Sequence, residues 1–143
     1  MGTWGAGAFE NDAASDWLGQ LEKLGFLAIT TPLSIIGEYA NRKRIIPAEA
    51  EQSFWAMCEV VAMAAGITES TLEAYQLAII RRDSKRILEI PNLKQRIIWT
   101  SARLESAPTE LQELWDDAGE GDAFRYHRDR AKDAAIEALR RRE

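Results

Sequence analysis

Cysteine and histidine each occur only once in this chain of 143 residues, as Cys58 and His127. A single cysteine excludes an intramolecular disulfide framework, and a single histidine excludes a histidine-rich zinc site. Cys58 has no basic or histidine neighbour in the sequence, so we expect a small buried apolar side chain rather than a nucleophile. His127, surrounded by charged residues, is expected at the surface or paired with an aspartate.

Valine is nearly absent, with two valines against twenty-two alanines. Because alanine favours helices and β-branched residues favour strands, this composition predicts an all-α fold. Apolar residues make up 46% of the chain and charged residues 29%, which excludes the composition of a disordered protein. A chain of this length is expected to form one domain, residues 1–143, and to bury roughly two-thirds of its unfolded surface.

The sequence has no run of about twenty apolar residues, so it predicts no transmembrane helix. It also has no charged-then-apolar leader followed by a small-residue cleavage site. We therefore expect a cytoplasmic protein with no membrane association.

Negative charge is concentrated in the first part of the chain. Residues 1–80 carry four basic and ten acidic side chains (4 − 10 = −6), and residues 81–143 carry fourteen and thirteen (14 − 13 = +1). The total of −5 makes nucleic acid an improbable partner, because phosphate binding needs a surplus of Lys and Arg on one face. A basic partner suits this surface better.

Apolar residues recur at helical spacing through most of the chain, between cap and breaker residues. The most regular stretch, from Pro47 to Gly66, is predicted to be a central helix that is covered on more than one side. The pattern predicts a single compact domain of six to seven helices. Their expected extents are 12–24, Thr31 (as cap) to 42–44, Pro47–Gly66, a capping box Ser70–Glu73 to about 88, Pro91–Pro108, a short helix around 111–115, and Asp122 (as cap) to 140–142.

The first ten residues contain three glycines and two aromatic side chains, too irregular a pattern for a helix or strand. They predict a structural arm formed by Gly2, Trp4, Gly5, Gly7 and Phe9, in which the aromatic rings dock on the domain. A phosphate-binding loop is the weaker interpretation, because the glycine order and the Gly-Lys-Ser/Thr ending are both missing.

Two acidic groups are candidate metal sites. The first is Glu10, Asp12 and Asp16, of which the last two lie one helical turn apart. Helix capping explains these residues without a metal, and we favour that role. The second comprises Asp116 and Asp117 with His127, and its spacing fits neither an EF-hand nor a di-iron bundle.

The chain contains three arginine-rich groups and five tryptophans. The arginine-rich groups lie near predicted helix ends, where the helix dipole favours cations, so they need no nucleic-acid ligand. Tryptophan is both a core residue and a common interface anchor. We select Trp99 and Trp115 as interface candidates and expect Trp99 to be partly exposed. The three basic groups are 42–44, 81–86 and 140–142.

The opening Met1-Gly2-Thr3-Trp4-Gly5-Ala6-Gly7, continued by Phe9-Glu10-Asn11-Asp12 and Asp16-Trp17-Leu18, resembles that of the bacterial domain of unknown function 4259 family. That family opens with Met-Gly-Ala-Trp-Gly-Thr-Gly, then Phe-Asp-Asn-Asp and Asp-Trp-Leu. The similarity continues in Ala48–Glu51, Cys58–Ala62 and Glu110–Trp115 and covers essentially the whole chain. Ala8 and Ala14 depart from the larger or acidic residues usual there. The resemblance brings no activity, cofactor or catalytic residue with it.

Three functions are compatible with these observations. The first is a small non-enzymatic protein-interaction module without a cofactor, which binds another protein or itself. Neutralisation of a toxin, as by an immunity protein, is one concrete version. The second is a metal-dependent hydrolase that uses one of the carboxylate groups, and the third is a nucleic-acid-binding protein. We favour the first because the residue types that catalysis requires are scarce and poorly spaced.

Overall fold

A computed structural model describes residues 7–68, 72–106 and 108–142. Within these ranges the chain forms seven α-helices and no strand, which confirms the predicted all-α fold. No helix in the described ranges is both long and apolar enough to cross a membrane. The helices are α1 (Asp12–Leu24), α2 (Thr31–Asn41), α3 (Ala48–Ala64), α4 (Ala74–Leu88), α5 (Leu93–Glu105), α6 (Glu110–Asp117) and α7 (Gly121–Arg140).

Helix α3 is the centre of the fold, as its apolar pattern predicts. It packs against α7 and α4 and also contacts α1, α2 and α6. The side chains of Phe54, Met57, Val60 and Val61 are fully buried. A helix that is apolar on nearly every face is stable in water only when other helices cover it. The remaining helices therefore form a shell around α3, with α5 packed on the outside against α2 and α7.

Short polar side chains fix two of the helix starts. Asn11 accepts a hydrogen bond from the backbone N–H of Ala14 at 2.7 Å, and α1 spans the predicted residues. Thr109 accepts one from the N–H of Gln112 at 3.1 Å and caps α6. Such caps satisfy backbone donors that the first helical turn leaves without a partner.

Three predicted caps are wrong. Helix α2 starts at Thr31 itself, with Thr30 as its cap residue. Helix α4 starts at Ala74, because the capping box is formed by Glu73 and Gln76, while the predicted cap Ser70 lies outside the described residues. Helix α7 is capped by Glu120, since the carboxylate of Asp122 instead binds Arg125. Thr30 and Glu120 make no side-chain hydrogen bond to the helices that they precede, so the presence of a capping residue type in the sequence does not by itself fix where a helix begins.

A short 3₁₀ helix, Gly25–Ala28, was not predicted. It is held by contacts from distant residues: the Trp17 indole N–H donates to the carbonyl of Ala28 at 3.0 Å, and the Phe26 N–H donates to Asp83 at 3.0 Å. Asp83 comes from α4, 57 residues further along the chain. A turn that depends on such a bond leaves no local pattern in the sequence.

We expect Gly19→Ala to raise the free energy of unfolding by about 0.5–1 kcal/mol, because a mid-helix glycine costs about that much relative to alanine. A Cβ at Gly19 meets no atom within 4 Å. Gly25→Ala should destabilise the protein, since Gly25 has φ +60° and its Cβ would collide with the Asp83 carboxylate. Urea unfolding of both variants measures the difference. Equal effects of the two substitutions would contradict the conclusion that the backbone conformation at Gly25 and its contact with Asp83 require a glycine where α1 ends.

Candidate functional site

A groove of about 440 Å³ lies among α1, α2, α3 and α6. Four carboxylates from three helices line it, and apolar side chains form its floor and one edge. We call it the acidic groove. Its charged residues are Asp12 and Asp16 of α1, Glu49 of α3 and Glu110 of α6, and its large apolar residues are Trp17, Pro32, Ile35 and Leu114.

The acidic groove has no neutralising cation among its lining residues, none of which is Lys, Arg or His in the part of the chain that the structure describes. One of the four carboxylates, Glu110, is hydrogen-bonded directly to the backbone of another helix. It accepts a hydrogen bond from the backbone N–H of Ala48 at 3.2 Å, which satisfies a donor at the start of α3. The other three carboxylates are exposed to solvent. A ligand with positive charge would therefore meet a field of one sign.

The apolar residues of the acidic groove are available to a ligand at its edges. Ile35 is 40% exposed and Leu114 is 36% exposed, whereas Trp17 is buried beneath them. An apolar floor with charged groups at the rim is the arrangement that recognises an amphipathic segment, because burial supplies affinity and charge supplies orientation.

The first predicted acidic cluster is only partly brought together. Asp12 and Asp16 both line the acidic groove, but the Glu10 carboxylate turns back and accepts a hydrogen bond from the Gly7 N–H at 3.2 Å. Within the described ranges, no three His, Cys, Asp or Glu side chains are placed to hold one metal ion.

The second predicted cluster is built around an arginine. Asp116 binds Arg125 at 3.0 Å, and Asp122 binds the same guanidinium at 3.3 Å, while Asp117 is exposed. His127 lines a separate small cavity, and its ring packs edge-on against Tyr126 with 5.5 Å between centroids. These ion pairs give the acidic residues structural partners.

Residues 1–6, and with them Gly2, Trp4 and Gly5 of the predicted arm, lie outside the described residues. Gly7 and Phe9 are described. Phe9 is partly buried against the core, in agreement with the predicted docking of its ring. Cys58 is fully buried, as expected, and burial raises the pKa of its thiol well above the ordinary value.

The two candidate interface tryptophans differ. Trp115 is half-buried against the core, whereas Trp99 is 49% exposed, as predicted. Trp99 lies in a second groove, which is open, has a volume of about 840 Å³ and runs between α2 and α5. We call it the Trp99 groove. Its lining is Leu33, Ser34, Gly37, Glu38, Asn41 and Arg42 of α2 and Gln95, Arg96, Trp99 and Thr100 of α5.

Most arginines of the three basic groups already contact neighbours. Arg42 binds Glu38 at 3.1 Å, and Arg82 binds Asp83 at 3.0 Å. At the chain end Arg141 binds Glu137, and Arg142 binds Glu89 of α4. These ion pairs give the basic groups partners within the fold.

Glu51 is a buried titratable group that was not selected from the sequence. It is 1% exposed, and one of its carboxylate oxygens accepts a hydrogen bond from the Trp55 indole at 3.0 Å, while the other has no partner in the described structure. Burial raises the pKa of Glu51, and Thr109, Trp55 and Arg128 act in the opposite direction. The sequence contains a signal that could have identified this residue. Glu51 lies four residues before Trp55 and seven before Cys58, and this spacing places it on the apolar face of the helix.

We expect Glu51→Gln to stabilise the protein at about pH 8, because the neutral amide keeps an oxygen for the Trp55 indole and has no charged form that burial disfavours. Because the pKa of Glu51 is higher in the folded protein than in the unfolded chain, the folded protein holds the Glu51 proton at pH values where the unfolded chain has lost it. The contribution of Glu51 to stability is therefore complete below the pKa of the unfolded chain, and it is lost as pH rises through the pKa of the folded protein. The gain should therefore shrink at about pH 4.

Urea unfolding at both pH values measures this effect. Glu113→Gln, which removes the same charge from an exposed position of α6, is the control. A Glu51→Gln variant that is less stable than the parent at both pH values would overturn the prediction.

The observations define a class of protein: an all-α helical domain that carries an acidic, amphipathic groove on its surface. A family model, described as a domain of unknown function (DUF4259), matches residues 2–127, and the chain belongs to that family. No curated protein and no solved structure matches the chain.

Proposed function

We propose that this protein is a non-enzymatic protein-interaction module whose acidic groove binds a basic, amphipathic protein segment. The observation that carries this proposal is the set of four carboxylates around an apolar floor, without a lining cation in the described structure. Charge of one sign attracts a basic partner over roughly one Debye length, about 8 Å at physiological salt, and the apolar edge then retains it.

The other two functions receive less support. A carboxylate-based hydrolase requires converging ligands or a general base, and the predicted clusters are either divided between two places or paired with Arg125. A nucleic-acid surface requires a surplus of uncompensated cations, whereas several arginines of the basic groups form ion pairs and the acidic groove would repel phosphate. Neutralisation of a basic toxin, in the manner of an immunity protein, stays a prediction from size and charge.

A basic amphipathic peptide tests the proposal. We expect a labelled helix with Lys and Leu at heptad spacing to bind, and binding to weaken as salt rises, because the carboxylates act through partly screened charge. Glu49→Lys should weaken binding about tenfold, which corresponds to about 1.4 kcal/mol. Fluorescence anisotropy measures the affinity.

The matched control is Asp133→Lys, which makes the same change in net charge at an exposed position of α7 outside the groove. Equal loss in both variants would show that net charge, and not the acidic groove, attracts the peptide. Absence of binding at low salt, at protein concentrations at which the parent protein is monomeric, would overturn the proposal.

A further inference from the structure

Helix α2 separates two grooves of opposite charge. Thr31, Pro32 and Ile35 line the acidic groove on one side of the helix. Ser34, Gly37, Glu38 and Asn41 line the Trp99 groove on the other side. The exposed ridge between the two grooves contains Ser34, Ile35 and Glu38. The two grooves are therefore neighbouring parts of one surface.

The Trp99 groove has cationic and aromatic character. Arg96 has no ion-pair partner among the described residues, and the Arg103 guanidinium lies 5.7 Å from the centre of the Trp99 ring. Arg42 is compensated by Glu38. Tryptophan and arginine are the residue types that most often anchor protein interfaces, and here they are exposed together.

The floor of the Trp99 groove is open because Gly37 has no side chain. A Cβ at this position meets no atom within 4 Å, although Gly37 lies inside α2, where alanine would be more stable. A larger residue would project into the groove. This space leaves room for an apolar side chain from outside.

The two grooves complement each other. One offers carboxylates around exposed Ile35 and Leu114, and the other offers the guanidinium of Arg96 and exposed Trp99, with Arg103 beside the Trp99 ring. Guanidinium groups bind carboxylates with defined geometry, and each groove presents apolar surface for the other to cover. Charge complementarity therefore identifies one occupant that carries the required chemistry, a second copy of this chain.

We propose that the protein forms a symmetric dimer in which the acidic groove of each copy covers the Trp99 groove of the other. The proposal rests on the proposed function, since it names the partner of the acidic groove. A two-fold axis that runs along α2 exchanges the two sides of the helix. The acidic groove of each copy then faces the Trp99 groove of the other, which gives two equivalent contacts. An axis across α2 would place like charges together. The arrangement is closed and leaves neither groove for a third copy.

Charge reversal tests the pairing. Sedimentation of the parent protein should give twice the 16.1 kDa mass of the chain at high concentration and a smaller mass as salt rises. Glu49→Lys and Arg96→Glu should each weaken the dimer about tenfold or more, because each places like charges opposite one another at two places. An equimolar mixture of the two variants should restore the dimer, since every pair is again complementary.

Asp133→Lys is the control and should leave the dimer unchanged, because α7 does not line either groove. A parent protein that stays monomeric at about 1 mM overturns the proposal, as does a mixture that stays monomeric. A mass that keeps growing with concentration also overturns it, since it indicates an open head-to-tail chain.

A single introduced cysteine tests the position of the axis. With the axis along α2, Ile35 of one copy meets Ile35 of the other, so Ile35→Cys should form a disulfide-linked dimer under mild oxidation. The native Cys58 is fully buried and does not compete. Ala78→Cys, at an exposed position of α4, is the control and should stay unlinked. Equal cross-linking of the two variants would contradict the proposed axis.

The Arg96→Glu variant separates this inference from the proposed function. Its acidic groove is intact and vacated by the second copy, so it should bind the basic peptide at least as well as the parent protein. If the parent is monomeric but the peptide binds through Glu49, only the dimer is wrong. If the charge-reversed mixture dimerises but Arg96→Glu does not bind the peptide, the groove accepts its own copy and not basic segments in general.

Discussion

The burial of α3 on several sides is the constraint on which the rest of the structure depends. Its side chains from Phe54 to Val61 leave almost no polar face, so stability requires that α1, α2, α4, α6 and α7 surround it. A helix with Ala at many positions permits this close approach. The acidic groove and the Trp99 groove lie at the surface between the outer helices.

The acidic groove is a consequence of this arrangement. Helices α1, α2 and α6 meet over the first turns of α3, where backbone N–H groups have no partner within the helix. Carboxylates are favourable near helix N-termini, and Glu110 supplies one of them directly to Ala48. Acidic residues collected for this reason also form a surface of one charge. Acidic residues near helix starts thus also set the charge of the groove.

Local patterns were sufficient for the helices and insufficient for the site. The apolar spacing predicted α1 over 12–24, the extent that the structure shows, and the Pro47 to Gly66 stretch predicted the central helix. Asp12 and Asp16 were selected as a pair, but their partners in the groove, Glu49 and Glu110, lie far along the chain. Helix packing brings these four together, and a pattern of neighbouring residues carries no record of it. Glu51 was missed although its spacing placed it on the apolar face.

The sequence by itself determined the all-α class, the family, the central helix, the burial of Cys58 and the exposure of Trp99, because composition and helical periodicity act within one element. Only the tertiary structure decided which charges share a surface. It divided the acidic residues between a groove and the Arg125 ion pairs, and it placed α2 between an acidic and a cationic groove. The physical reason is that electrostatic fields add in space, whereas the sequence orders charges only along the chain.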